Sequence, residues 1–318
     1  EIGVRLVGSE MCIRDRYRTD NMNESLSFMC DKASFAVASI KDDTHSFIAY
    51  YDDTMLEAAI KYKTIVDEFD DAIKAGEFKM YLQPQISAKT RRLTGAEALV
   101  RRIKPDGTII SPIDFIPVYE KSGLISRLDR YIWEQAAAKL GEWKKAGINM
   151  SISVNISPKD FYYIDIFNTF AGLIKKYDIE PSNLKIEITE TTIMSDVPNL
   201  MGELEELRKA GFTLEMDDFG SGYSSLNTLK DINVDVLKVD MGFIKETKNV
   251  KKSRIILASV IKMAKELNLL IITEGVETEE QVDNLTKLGC DVFQGYYFSK
   301  AIDVNEFEKR YLYRKKAG

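Results

Sequence analysis

Between residues 95 and 295 one arrangement of apolar and polar positions recurs. A short apolar run ends in a carboxylate, an amide or a lysine, as in LTGAEALV, SISVNIS, LKIEITE, TLEMDDFGSG, DVLKVD, LIITEGVET and VFQGYY. Strands buried on both faces read as continuous apolar stretches, so these runs predict a parallel sheet. Between them lie SPIDFIPVYEKS, DRYIWEQAAAKLGEWKKAG, DVPNLMGELEELRKAG, RIILASVIKMAKELN and TEEQVDNLTKLG, with apolar residues at three-to-four spacing and, in most, a Gly or Asn at the end. These are helices with C-terminal stop signals. Strand followed by helix, repeated about seven times over roughly 230 residues, fits an α/β (β/α)8 TIM-type barrel better than an open doubly wound sheet, since neither a Gly-rich nucleotide loop nor a Walker pattern is present. In such a barrel, chemistry collects at the carboxyl ends of the strands.

The residues at those ends are Glu97, Asn155, Glu187, Asp217, Asp218, Glu274 and Glu277, with Lys238 and Gln294 from neighbouring strands. Any one acid taken alone reads as a solvated side chain on a loop; their recurrence at equivalent strand ends argues for one shared site. Hard oxygen ligands without imidazole or thiolate select Mg2+ or Mn2+ over zinc. Burying several carboxylates together is costly, so either divalent cations bind or several of the acids are protonated. Two metals sharing Asp217 or its neighbour is the economical arrangement. Asp217 and Asp218 would diverge in a regular strand, but a turn at the strand end lets both face the barrel mouth. Lys238 either holds and polarises a water there or makes a structural salt bridge. Two cations and a positioned water suit in-line attack on a phosphodiester, so the reaction class is metal-assisted phosphoester hydrolysis. Arg101 is either a surface arginine or a bidentate clamp for a phosphate.

Composition narrows the picture little. A chain of 318 residues, 45% hydrophobic and 30% charged, is globular, with room for one large domain plus a fragment or for two domains. The formal charge of −6 and the shortness of the basic runs, which read as solvated helix faces and a tail, argue against DNA or RNA polymers as partners. Cys12, Cys30 and Cys290 have no metal-ligand spacing and suit a reducing cytoplasm. The single histidine, His45, is far in sequence from the strand-end acids, which excludes a Ser-His-Asp triad or His-based zinc chemistry there. No apolar stretch approaches the ~20 residues of a membrane span, so no membrane contact is expected, although a longer parent protein can be anchored.

Glu97-Ala98-Leu99, followed by Val100-Arg101, resembles the signature of the EAL domain family, bacterial phosphodiesterases that hydrolyse cyclic di-GMP to linear pGpG. The resemblance runs in order through YLQPQ (81 to 85), GAEALVRR (95 to 102), ISPIDFIPVYEKSGLI (110 to 125), VNIS (154 to 157), IEITE (186 to 190), MDDFGSGYSSL (216 to 226), VLKVD (236 to 240), EGVET (274 to 278) and QGYYFS (294 to 299), covering about residues 70 to 310. It implies that Glu97, Asn155, Glu187 and Asp217 coordinate a first Mg2+ or Mn2+, and that Asp217, Asp218 and Glu274 serve a second. Lys238 matches the lysine that orients and activates the attacking water. Glu277 and Gln294 match groups that support the site and its water network, and Gln83, Leu99 and Arg101 line the substrate, Arg101 on a phosphate.

The stretch 218 to 226 resembles the family loop that links dimerisation to metal binding. Its Gly220 and Gly222 permit tight turns, and Glu190 matches the residue that braces it; GSGYSS also reads as a turn and helix N-cap at Ser224 or Ser225. The resemblance therefore implies a homodimer through the barrel and this loop region. Three positions depart from the family: Arg102 stands where tryptophan is usual, and Thr273 and Ser221 replace a usual alanine and threonine. None removes a ligand, and the guanidinium plane of Arg102 can itself stack on a base.

Residues 23 to 53 are similar to the last helix and strand of a GGDEF diguanylate cyclase domain without its signature loop. The expected layout is a leader at 1–16, which resembles translated sequencing-adapter sequence and is non-native or disordered, then a GGDEF-like fragment at 17–53, a linking helix at 54–75 and the barrel at 76–318. Two readings of function follow. The first is an active cyclic di-GMP phosphodiesterase; the second is a catalytically silent module that binds cyclic di-GMP or a protein.

Overall fold

In a computed structural model of the protein, residues 25–39, 49–195, 197–219, 229–230, 232–240 and 250–313 are described. The expectations for residues 1–16, Cys12, His45, Gly220, Ser221, Gly222, Ser224 and Ser225 fall outside them. The chain forms two compact units, residues 1–71 and 72–318.

The first unit contains α1 (Leu26–Ser39) and α2 (Asp53–Asp67). Asp52 caps α2, its carboxylate accepting from Thr54 N at 2.8 Å, which satisfies one of the amides that a helix start leaves without a partner. The expected strand before this point is not formed at 49–52. In place of one helix over 54–75, α2 stops at Asp67 and α3 (Phe69–Lys74) follows.

The second unit is built on ten strands: β1 (Phe78–Ser87), β2 (Leu93–Ile103), β3 (Ile109–Ile110), β4 (Ile152–Ile156), β5 (Leu184–Thr189), β6 (Leu214–Asp217), β7 (Val236–Asp240), β8 (Leu270–Glu274), β9 (Val292–Phe293) and β10 (Ile302–Asp303). Eight of them close a ring in the order β1, β2, β4, β5, β6, β7, β8, β9 and back to β1, while β3 and β10 extend β2 and β1. The barrel is therefore of the TIM type, with one departure from an all-parallel ring: β1 is antiparallel to both β2 and β9. The cause is the connection. Residues 88–92 join β1 to β2, far short of the dozen or so residues a parallel crossover needs, so the two strands form a hairpin.

Helices predicted from apolar spacing lie outside this ring: α4 (Pro112–Ser122), α5 (Ile125–Lys145), α9 (Leu200–Lys209), α10 (Val250–Glu266) and α11 (Glu279–Leu288). Their stop signals act as anticipated, with Gly123 and Gly289 at left-handed C-caps with φ of 78° and 95°. Shorter α6 (Asp160–Tyr163) and α8 (Glu190–Met194), and the amphipathic α7 (Ile166–Tyr177), complete the set used below. Trp133 of α5 packs on Phe170 of α7 with ring centroids 4.8 Å apart, and Phe78 of β1 packs on Phe115 of α4 at 5.7 Å. The first contact ties two helices together and the second ties a helix to the outward face of a strand, leaving the inward faces to carry the site.

Candidate metal centre at the barrel mouth

Side chains alternate between the two faces of a strand, and register partners on adjacent strands share a face. Gln83 is opposite Glu97, Asn155 beside Glu187, and Asp240 beside Glu274. The pattern that put a polar residue near each strand end therefore directs these groups to one lumen.

Lys238 lies at its centre and is fully buried. Its Nζ is 2.7 Å from Glu274 Oε1, 3.3 Å from Glu97 Oε2 and 3.4 Å from Asp217 Oδ1, and it also pairs with Glu187 Oε1. Burial works against the ammonium charge, but the four carboxylates outweigh it and hold the Lys238 pKa well above the usual lysine range. The reverse balance governs the acids. Burial and the neighbouring Glu97 push Glu187 well up, and burial and Asp217 push Glu274 up to about 8 against the opposing pull of Lys238. One lysine does not neutralise four carboxylates.

Asn155 Nδ2 donates to Glu97 Oε1 at 3.4 Å, and its own backbone carbonyl accepts from the indole of Trp133 at 2.9 Å. Gln294 donates to Glu97 Oε2 and, at 3.3 Å, to Gln83 Oε1. The loop after β9 can come this close because residue 295 is glycine: a Cβ there would sit 2.2 Å from the Val276 carbonyl oxygen. At the end of β6 the chain turns at once, Asp218 having φ of 56° and donating its N–H to Asp217 Oδ1 at 2.9 Å. Asp218 is exposed at the surface, and the partial desolvation of its carboxylate and the neighbouring Asp217 raise its pKa.

These donors fit a hard divalent cation. Glu97, Glu187 and Glu274 each offer an oxygen within 4.8 Å of the others. The second carboxylate oxygen of Glu187 is buried without a hydrogen-bond partner, a costly arrangement that a cation would relieve. Because Glu274 must lose its proton to serve as a ligand, cation affinity is expected to rise with pH up to about 8 and then level off, by at most about tenfold per pH unit for each proton released. Mn2+ titrations between pH 6 and 9 check this; affinity independent of pH would contradict it.

Beside the centre is a cleft of about 580 Å³ lined by Leu99, Arg101, Trp133, Asn155 and Asp129 among others. Arg101 sits at its wall, Nη1 donating to the Val100 carbonyl at 2.7 Å with the guanidinium 6.0 Å from the Tyr81 ring. Arg102 faces the other way. Its Nε is 2.9 Å from Glu77 Oε2 and its guanidinium lies over Phe78, because alternation along β2 sends it to the outer face. Glu277 is exposed at the start of α11, where its N–H donates to Gln281 at 2.7 Å. Glu190 is buried at the start of α8.

Sequence reasoning missed Gln85, whose Nε2 donates to Gln294 Oε1 at 3.2 Å; its position two residues after Gln83 on the same strand face was the available signal. It also missed Asp129, which lines the cleft, and the buried Asp160: burial and the charge of Asp160 hold Asp129 well above the usual carboxylate range, while burial raises Asp160 to about 6 against hydrogen bonds from Ser126, the Ser157 backbone and Asp129. No sequence signal joins these two, since the pairing depends on how α5 packs beside α6.

The closed barrel thus carries a lysine ringed by carboxylates at the carboxyl ends of its strands, an oxygen-donor group that could hold a metal ion. Residues 66–301 match the EAL domain, and the chain belongs to that family. It is 34% identical over 278 residues to the signaling protein YkoW of Bacillus subtilis and 36% identical over 252 residues to the probable cyclic di-GMP phosphodiesterase PdeG of Escherichia coli, covering 87% and 77% of this chain. The chain spans well under half the length of the first of these curated relatives and about half of the second, 35% and 48%. Its fold superposes on the PaMucR phosphodiesterase in complex with c-di-GMP with a TM-score of 0.72 at 32% identity, covering 77% of this chain and 99% of that one. Among the described residues no helix is long and apolar enough to cross a membrane.

Proposed function

We propose that residues 76–318 hydrolyse cyclic di-GMP to linear pGpG, using two Mg2+ or Mn2+ ions. The observation that carries this reading is the buried cluster of Glu97, Glu187, Asp217 and Glu274 around Lys238, together with the named activity of PdeG and PaMucR. Glu97, Asn155, Glu187 and Asp217 are assigned to one cation, and Asp217, Asp218 and Glu274 to the other. Such cations supply Lewis-acid polarisation of the phosphoryl oxygens and lower the pKa of water.

The chain's own groups do the rest. Lys238 orients the attacking water and offsets the negative field of the acids. The water's oxygen bonds to phosphorus as the P–O3′ bond breaks in line; the water sheds one proton and the departing O3′ takes one up, so that OH is added to phosphorus and H to O3′. Gln294, Gln83 and Gln85 form the polar network beside Glu97, and Glu277 is assigned to the outer support of the site. Leu99 and Arg101 line the cleft for the dinucleotide. Replacing Arg101 by alanine is expected to raise KM about 10–100-fold with kcat within a few-fold, since a hydrogen-bonded charge contributes about 1.5–3 kcal/mol. Steady-state kinetics check this, and an unchanged KM would remove Arg101 from the phosphate.

The reading extends to organisation. The protein acts in the cytoplasm as a homodimer through the barrel and the 218–226 region, where Glu190, Gly220 and Gly222 support the loop. Residues 17–53 derive from a GGDEF-like domain. Sedimentation of the purified chain tests the dimer.

A further inference from the structure

A second lumen acid sits abreast of Glu187. Glu215 on β6 is its register partner, and both are fully buried, so the two carboxylates project side by side from one face. The acids paired with Lys238 include Glu187. Glu215 is paired with another cation, Lys185, whose Nζ is 2.8 Å from Glu215 Oε1. Lys185 precedes Glu187 by two residues on β5 and shares its face. It therefore draws Glu215 toward the amino end of the barrel, away from the strand ends. On the other side Glu215 meets Val236 of β7, which belongs with Ile272 and Val292 to a buried apolar cluster that offers no competing partner. The other oxygen of Glu215 is buried without a hydrogen-bond partner.

We propose that Lys185 is a positioning residue that holds Glu215 out of the cation centre, so that of this abreast pair Glu187 alone serves it. The inference rests on the cation-binding reading above. A buried carboxylate must pair with positive charge. Without Lys185, Glu215 turns toward Lys238 and the bound cations. The added anion strengthens the hold on a dication, and its crowding of Glu187 distorts the ligand arrangement and slows turnover.

The test is Mn2+ titration of the metal-free full chain, with free Mn2+ read by electron paramagnetic resonance. Lys185→Met is expected to bind Mn2+ at least about fivefold more tightly than wild type, because ligand charge count sets affinity at such sites. Lys185→Met/Glu215→Gln and Lys185→Arg return to within about twofold of wild type on the same ground. Tightening followed by rescue is a result that a merely structural role would not give. Lys185→Gln is made in parallel, and whichever single variant shows a native circular dichroism spectrum is read. Unchanged or weaker binding in that variant, or tightening that persists in the double variant, overturns the role of Lys185. A wild type that binds no Mn2+ instead removes the cation-binding reading and this inference with it.

Discussion

Lys238→Met is expected to abolish hydrolysis and to lower thermal stability. The methionine fills nearly the same volume, so the loss is one of charge: Glu187, Glu274, Glu97 and Asp217 keep their burial and lose the cation they share. Removing one partner of a buried ion pair costs about 3–5 kcal/mol. For a domain of this size about 1 kcal/mol moves Tm by about 2–4 °C, which gives a fall of about 6–20 °C in metal-free protein. Protonation of the acids, already favoured at Glu187 and Glu274, brings the observed value toward the lower end. Added Mn2+ recovers part of the stability, because the cation takes over the compensation. It does not recover turnover, expected to be down about 10³-fold, since loss of one positioned electrostatic donor at the reacting centre costs about 10²–10³. Calorimetry with and without Mn2+, beside a product assay, checks all of this; wild-type turnover would mean that Lys238 is structural.

Glu97→Ala differs in stability: activity is lost as in Lys238→Met, but the fold keeps its stability. Glu97 touches Lys238, Asn155 and Gln294, so its removal takes a ligand from the centre and loosens two side chains around it. Hydrolysis is expected to fall about 10³-fold or more, as for loss of an electrostatic group at a reacting phosphoryl. Stability changes little because two terms oppose: a buried pair is lost, yet one of four mutually repelling carboxylates is gone. A Tm within about 4 °C of wild type follows, equivalent to about 1 kcal/mol. Full activity in this variant would exclude the two-cation assignment.

The strand ends were legible in the sequence because each apolar run stops at a polar group, and in a barrel all those stops point to one lumen. Glu97, Asn155, Glu187, Asp217, Lys238, Glu274 and Gln294 follow from that alone. Helix ends were legible from Gly123 and Gly289. Helix α7 was not anticipated, although Ile166, Phe170 and Leu173 carry the i, i+4, i+7 spacing and are buried. The reversal of β1 was not read because its Leu82, Gln83, Pro84 and Gln85 look like any other strand end; only the shortness of the loop to β2 signals a hairpin. Lys185 with Glu215, and Asp129 with Asp160, were invisible for a different reason. Each pairing is set by cross-strand register or by helix packing, which no local spacing encodes. Arg102 shows the same limit: adjacent to Arg101 in sequence, it lies on the far side of the strand.

The most direct measurement is chromatography of cyclic di-GMP incubated with the purified chain and Mg2+ or Mn2+, with an EDTA control. The expected result is pGpG that forms only with the cation present and disappears with EDTA. Tight binding of cyclic di-GMP without product, in a chain that binds Mn2+, would contradict it and make this barrel a receptor.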